Sequence, residues 1–371
     1  MLPPLGSKLR RWRITLSRHR HRVLLLAICC SIWITGAAQA ALILTSIKTA
    51  SPLPAGAAGT ISGVINEQVK KLLDKDSNVA HIARQVLIDE SDAGGASADF
   101  QTQYVNSLIQ AVTPLMGQGK EIQHNVAVII GGVAAKVEKN DVADLFTPQV
   151  KTMVQSKDVL VAYWGMKTAH YALQSTAIKT GKDGGLGKII VDAVEKSGNA
   201  PVLIEEGYLG LTFDGLPNAP PGNPRTQGAL AGVALSFVLD LLEWRVSQYN
   251  ANTPPGNPQA DTIATRYLPY TAWPAVSGNR QTQDRTLKAV GDLAQGQLNT
   301  LKGSKDAELL DAVQRTGDSI NAFGSQLNDL ALQNAGKQFK SVTPATDEGK
   351  IDELIGKLNT ALQPNIHVAK P

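Results

Sequence analysis

Apolar residues recur along this chain at steps of three and four, and the segments that carry them come in pairs. The clearest pair lies at 141–177. Val142, Leu145, Phe146, Val150 and Val154 form one stripe, and Val161, Trp164, Tyr171 and Leu173 form a second beyond the polar turn 155–158. Pro148 falls inside the first stripe, where an interior proline removes one backbone hydrogen bond and bends the rod. Trp164 reads as a core residue. Segments 60–74 and 77–89 make an earlier pair, 98–116 and 121–137 another, and 185–196 with 200–211 a fourth.

The second helices of the first three pairs align on Val79, Ile122 and Val161, which are 43 and 39 residues apart. A single pair cannot bury its stripe, so neighbouring pairs must stack to share one core. Period and pattern over 60–211 resemble the HEAT and armadillo repeats. That resemblance implies an all-α, α-solenoid architecture of HEAT-like helix pairs (60–215) with an extended surface for partners, and it implies no activity.

Beyond Leu211 the period lapses. Residues 218–224 and 252–258 are near-repeats rich in Pro, Gly and Asn, and they bracket the most apolar helical segment, 228–249. The aromatic stretch 260–278 is interrupted by Pro269 and Pro274 and is expected to be a broken helix. Segments 284–302 and 306–333 then read as a C-terminal antiparallel helical hairpin, within a domain 279–333, with Asp306 as N-cap. In its second helix Leu310, Val313, Gly317, Ile320, Gly324, Leu327 and Ala331 trace a heptad seam whose glycines admit a close neighbour, expected to be the preceding helix. A short helix at 347–362 and a tail complete the last segment, 334–371.

Charge changes the picture mainly at the N-terminus. The formal net charge is +4, but seven of the 36 basic residues lie in 1–40 and none of the 32 acids does. The remainder is therefore slightly acidic and carries no basic stripe, so a nucleic-acid partner is not expected. A basic segment, 1–22, leads into an uncharged run, 23–47, the pattern of an export signal or a membrane anchor. Ala38-Gln39-Ala40 offers a cleavage site; without cleavage the chain stays anchored in a membrane with its arginines cytoplasmic. Residues 48–59, rich in Pro, Ala and Gly, read as a linker. Both cysteines, Cys29 and Cys30, fall in the apolar run, so the exported part contains no disulfide.

Candidate chemistry is sparse. The tract 181–188 is glycine-rich, yet Lys182 and Ile189 occupy positions where a phosphate loop needs Gly and Ser/Thr. No zinc-protease motif, nucleophile elbow or metal-binding cysteine pair occurs, and no cofactor or small-molecule ligand is identifiable. His81, His124 and Tyr163 sit two residues after the aligned positions and are expected to form a ladder on one face, a partner-contact surface. Ladder members would stand roughly 8–10 Å apart, too far for ordinary metal co-ligation. Asp240 and Glu243 share a helix face with Arg245 nearby, the one polar cluster that an enzyme could use. The expectation from sequence is an exported, envelope-associated scaffold that binds a protein partner. The alternatives are an enzyme built on Asp240, Glu243 and Arg245, or a spacer projecting from the membrane.

Overall fold

The computed structural model describes residues 42–366, apart from 93–94, 198–199, 214–226, 252–254, 277, 303 and 305. Residues 1–41 of the export or anchor segment and the proline-rich loop at 218–224 therefore lie outside the described residues. The described chain is all-α, with no strand. Its helices are α1 (Thr45–Lys48), α2 (Ala57–Lys71), α3 (Ser77–Glu90), α4 (Ala98–Val112), α5 (Lys120–Val137), α6 (Thr147–Val154), α7 (Val159–Thr180) and α8 (Leu186–Lys196). They continue as α9 (Pro201–Thr212), α10 (Gln227–Asn250), α11 (Asp261–Tyr267), α12 (Arg280–Leu301), α13 (Ala307–Leu327), α14 (Leu330–Gln338) and α15 (Glu348–Leu362).

Local chemistry sets these boundaries. Asp76, Ser97, Asp158, Asp306, Asp329 and Asp347 each accept a first-turn backbone N–H, satisfying a donor that a helix start leaves orphaned. Gly181 ends α7 in the left-handed region.

The helices stack in two layers. One layer runs α2, α4, α6, α8, α10, α12, α15; the other runs α3, α5, α7, α9, α11, α13, α14. Each helix packs on its predecessor and successor in its own layer, with a short 3₁₀ turn (Ala143–Phe146) bridging α4 to α6. Each also packs on its partner in the other layer, so the apolar stripes fuse into one continuous core from Ile43 to Leu362. The stack does not stop at residue 211, where the sequence period lapses. The 214–226 insertion interrupts the spacing along the chain, and α10 nonetheless packs on α8 and α9 in the next position.

Four further expectations are corrected. Pro148 lies in the first turn of α6, following the 3₁₀ turn, where its missing N–H would have had no helical partner. Two separate elements therefore replace the single bent helix. The stretch 48–59 is not a free linker: Ile43 and Lys48 are buried, α2 begins at Ala57, and Lys48 Nζ lies 2.8 Å from Glu90. The Ile43 N–H also donates to Glu90 Oε2 at 3.1 Å, so the last residues of the apolar run belong to the first repeat. The helix expected over 306–333 ends at Leu327, because Asn328 takes a left-handed conformation and Asp329 caps a new helix. The glycines of its seam consequently face α14 rather than α12.

That last crossing is close. A Cβ on Gly336 would stand 2.5 Å from Asn321 N and 2.6 Å from Gly317 O; one on Gly317 would meet Phe339. The broken segment expected at 260–278 is present: after α11 the chain forms a π-helical turn, Leu268–Ala272, around Pro269, then a last turn, Trp273–Ala275.

Gly317→Ala is expected to destabilise by about 1–3 kcal/mol through overpacking. Gly63→Ala, with open space around the same added atom, should stabilise by about 0.5–1 kcal/mol. Thermal melts moving in the same direction for both variants would contradict the α13–α14 crossing.

Candidate interaction face

The second layer presents its side chains helix after helix, and the ladder residues occupy three successive members of it. His81 on α3 is exposed and its Nδ1 lies 2.7 Å from Arg84 Nη2. Arg84 Nη1 in turn donates to Asn125 Oδ1 on α5 at 2.9 Å, and burial depresses the Arg84 pKa. His124, the next rung, stands 3.0 Å from Asp158 Oδ1, with Lys120 Nζ at 3.9 Å from Oδ2. The same carboxylate caps α7, accepting from Leu160 N at 3.0 Å and Val161 N at 3.3 Å. The His124 hydrogen bond above all holds the Asp158 pKa below the usual aspartate value.

Tyr163 is the third rung. Its ring meets Trp164 edge to face, with centroids 5.7 Å apart. Lys167, one turn on, places its ammonium 5.2 Å from the Tyr163 centroid and 5.6 Å from that of Trp164. Across the seam to α9, Glu206 Oε1 is 3.9 Å from Lys167 Nζ. Burial opposes the Lys167 charge, but the Tyr163 hydroxyl and Glu206 outweigh it and raise its pKa. Burial pushes the Glu206 carboxyl up, only partly offset by Lys167.

Among the described residues, none of His81, His124 and Tyr163 hydrogen-bonds or stacks with another. The structure engages each instead with the neighbouring helix or with its own helix's next turn. Trp164 is half-buried rather than in the core: its ring lies across Gly131 of α5, where a Cβ would come within 2.5 Å of it. Lys167 and Asp158 were the functional neighbours that pattern reading missed. The four-residue step from Tyr163 to Lys167 was the available signal for the first.

Asp240, Glu243 and Arg245 are not brought together. Asp240 and Glu243 face the surface, where Arg285 of α12 reaches Asp240 Oδ1 at 2.5 Å and Glu243 Oε1 at 2.8 Å. Arg245 points the other way and is wholly buried. Its Nε and Nη2 donate to Asp261 Oδ1 and Oδ2 at 2.7 and 3.0 Å, and Nη2 also reaches the carbonyls of Gly256 and Asn257. Tyr249 completes the centre with a 2.7 Å hydrogen bond to Asp261 Oδ2. Burial works against the guanidinium, yet the Asp261 carboxylate holds its pKa above the normal arginine value. With the acids tied to Arg285 and the arginine to Asp261, no paired carboxylates are free to share a cleft. Among the described residues, no group of three or more His, Cys, Asp or Glu side chains is placed to hold a metal.

No family model and no curated protein matches the sequence. Among the solved structures that align with it are two crystal structures of engineered proteins. The first is 12% identical over 81% of this chain and 97% of its own, with a TM-score of 0.35. The second is 12% identical over 86% and 93%, with a TM-score of 0.33. Likeness at that level carries no functional information.

Asp261→Asn, which strands a buried guanidinium, is expected to cost about 3–5 kcal/mol, whereas Arg285→Ala on the surface should cost under about 1 kcal/mol. Hydrogen exchange across α9–α11 reads both, and equal effects would contradict the burial assignment. Asp158 contributes stability above the unfolded aspartate pKa that is lost as pH falls through its lower folded value. Protection of the Leu160 and Val161 amides is therefore expected to fall on acidification in the native chain but not in Asp158→Asn. Parallel profiles in the two would remove this carboxylate as the cause.

Proposed function

We propose that this protein is an exported, envelope-associated helical-repeat scaffold that binds a protein partner along its second layer, in the manner of a HEAT-type solenoid. The observation that carries the reading is the outer strip of α7. Leu160, the adjacent Tyr163 and Trp164, Lys167 and Tyr171 recur about once per turn on one side of the helix, half-buried or exposed. Leu160 is 43% exposed, and Ile82 on α3 and Val202 on α9 are exposed at 50% and 39% on neighbouring members of the layer. Tyrosine and tryptophan supply large contact area at low entropic cost, which is why they concentrate where protein interfaces hold most of their energy.

Export rests on the 1–22 basic segment and the apolar run that follows. Among the described residues no helix is long and apolar enough to cross a membrane, and the anchor we propose lies within the uncharged run 23–47. That stretch is itself about long enough to span a bilayer.

The test is photo-cross-linking in living cells that make the full-length protein. A cross-linking residue at Ile82 or Leu160 is expected to trap one recurrent envelope protein, and the same residue at Lys288 in the first layer should not. No product from either second-layer position, or equal products from Lys288, would end the scaffold reading.

A further inference from the structure

The same strip also indicates what kind of surface it accepts, an inference that rests on the scaffold reading. Its length, from Leu160 to Tyr171, is roughly 16 Å at 1.5 Å per residue, three turns of a straight helix. Lys167 lies on the strip and Lys120, the first residue of α5, lies beside the Asp158 cap at its start; the acids nearest to these two cations serve them poorly. Lys167 is pinned over the Tyr163 and Trp164 rings, and its nearest carboxylate, Glu206, stands off at 3.9 Å with only 11% of its side chain exposed. Burial also favours the neutral form of that carboxyl. Lys120 is 83% exposed and likewise 3.9 Å from Asp158, whose oxygens already serve two backbone amides and His124.

Ordinary ion pairs elsewhere on this surface close to 2.5–2.9 Å, as at Arg285, Lys188 and Arg315. The exposed acids Glu121 and Glu205 are each one residue from Lys120 and Glu206, so they project about 100° away around their helices. The strip is thus apolar and aromatic, with positive charge left over at two points. Asp158 marks the position of the first and Lys167 lies nine residues along α7 from it. That places the two roughly 13 Å apart along the axis.

We infer that the α7 strip takes an amphipathic helix of a partner protein, with an apolar face and two carboxylates about seven residues apart, one for Lys167 and one for Lys120. Residues i and i+7 on a helix are separated by roughly 10 Å and lie within about 20° of one another around its axis, so with the reach of the Glu and Lys side chains one helix can satisfy both cations while its apolar face covers Leu160 and the aromatic rings. The cation–π contacts matter here because they hold the Lys167 ammonium in place before the partner arrives.

The probes are three synthetic helical peptides with the same leucine face, carrying two Glu, two Gln or two Lys at positions about seven residues apart, i and i+7. Binding to the full-length protein is followed by Trp fluorescence and calorimetry. The Glu peptide is expected to bind at least about tenfold more tightly than the Gln peptide, with an advantage that shrinks as salt rises. Lys167→Glu or Lys120→Glu should abolish that preference and shift it toward the Lys peptide, while Lys288→Glu leaves it intact. Equal affinity for the Glu and Gln peptides overturns the inference whether or not any lysine variant folds. So does a preference that survives in both strip variants when their melts match the parent. The two readings fail separately: a partner trapped from Leu160 whose cross-linked segment lacks such a carboxylate pair overturns the partner chemistry and leaves the scaffold standing. No trapped partner at all removes the scaffold itself.

Discussion

The structure depends most on the buried contact between Arg245 and Asp261. In a stack of helix pairs each pair touches only its neighbours, so the direction of the whole is set one junction at a time. The junction after α9 is the least supported by sequence continuity, since 214–226 separates it from α10 and the 252–258 turn separates α10 from α11. Arg245 closes that gap. Its guanidinium binds the first residue of α11 and two carbonyls of the turn, and Tyr249 on the next turn of α10 bonds the same carboxylate. Gly296 lets α12 approach the Tyr249 side chain from the other side. A charge pair at full burial gives little net stability over apolar packing, but it tolerates few geometries. What it contributes at this junction is a single way to continue the stack.

The N-terminal end uses the same device at smaller scale. Lys48 and Glu90 pair at 2.8 Å in nearly complete burial, and Glu90 also takes the Ile43 N–H. The 43–53 segment packs against the first repeat through Ile43, Ile47 and Leu53. It is closed by backbone and side-chain bonds from Ser97 to Lys48 and Ala50. At the other end the order of layers reverses. The chain turns at Asn328–Asp329, lays α14 along α13 in the second layer, and returns to the first with α15, so the final pair folds back over the core.

How much of this could be read from the residues follows from what each signal encodes. Helices and their partners within a pair were legible, because an apolar stripe states which side is buried. Stripes do not state which neighbour buries them. The Gly317–Gly324 seam therefore announced a close crossing correctly while leaving α12 and α14 indistinguishable. Pro148 was misread for a related reason: the residues before it carry a helical pattern, and only the change from 3₁₀ to α geometry reveals a helix start. The repeat spacing was legible only while connections stayed short, and the 214–226 insertion hid a stack that continues. At the candidate face, Tyr163 was singled out by its place in the period, but Glu206, the carboxylate facing the neighbouring Lys167, lies on another helix. Asp261 was invisible as the mate of Arg245, since no pattern connects residues whose contact depends on how a loop closes.

The two faces of the stack differ in how their charges are spent, and this difference follows from the packing itself. On the first layer, Arg285 bridges Asp240 and Glu243 with direct short bonds, so its positive charge is fully paired there. On the second, successive helices are joined by side chains that also serve other tasks. Asp158 caps α7 while meeting His124, and Glu206 sits too deep at its seam to neutralise Lys167 fully. Seam residues that hold neighbouring helices in register are thereby withdrawn from the lysines beside them. The aromatic rings that keep Lys167 in place supply no countercharge, only a quadrupole that favours the cation. A face built this way keeps preset positive points within an apolar strip as a consequence of stacking.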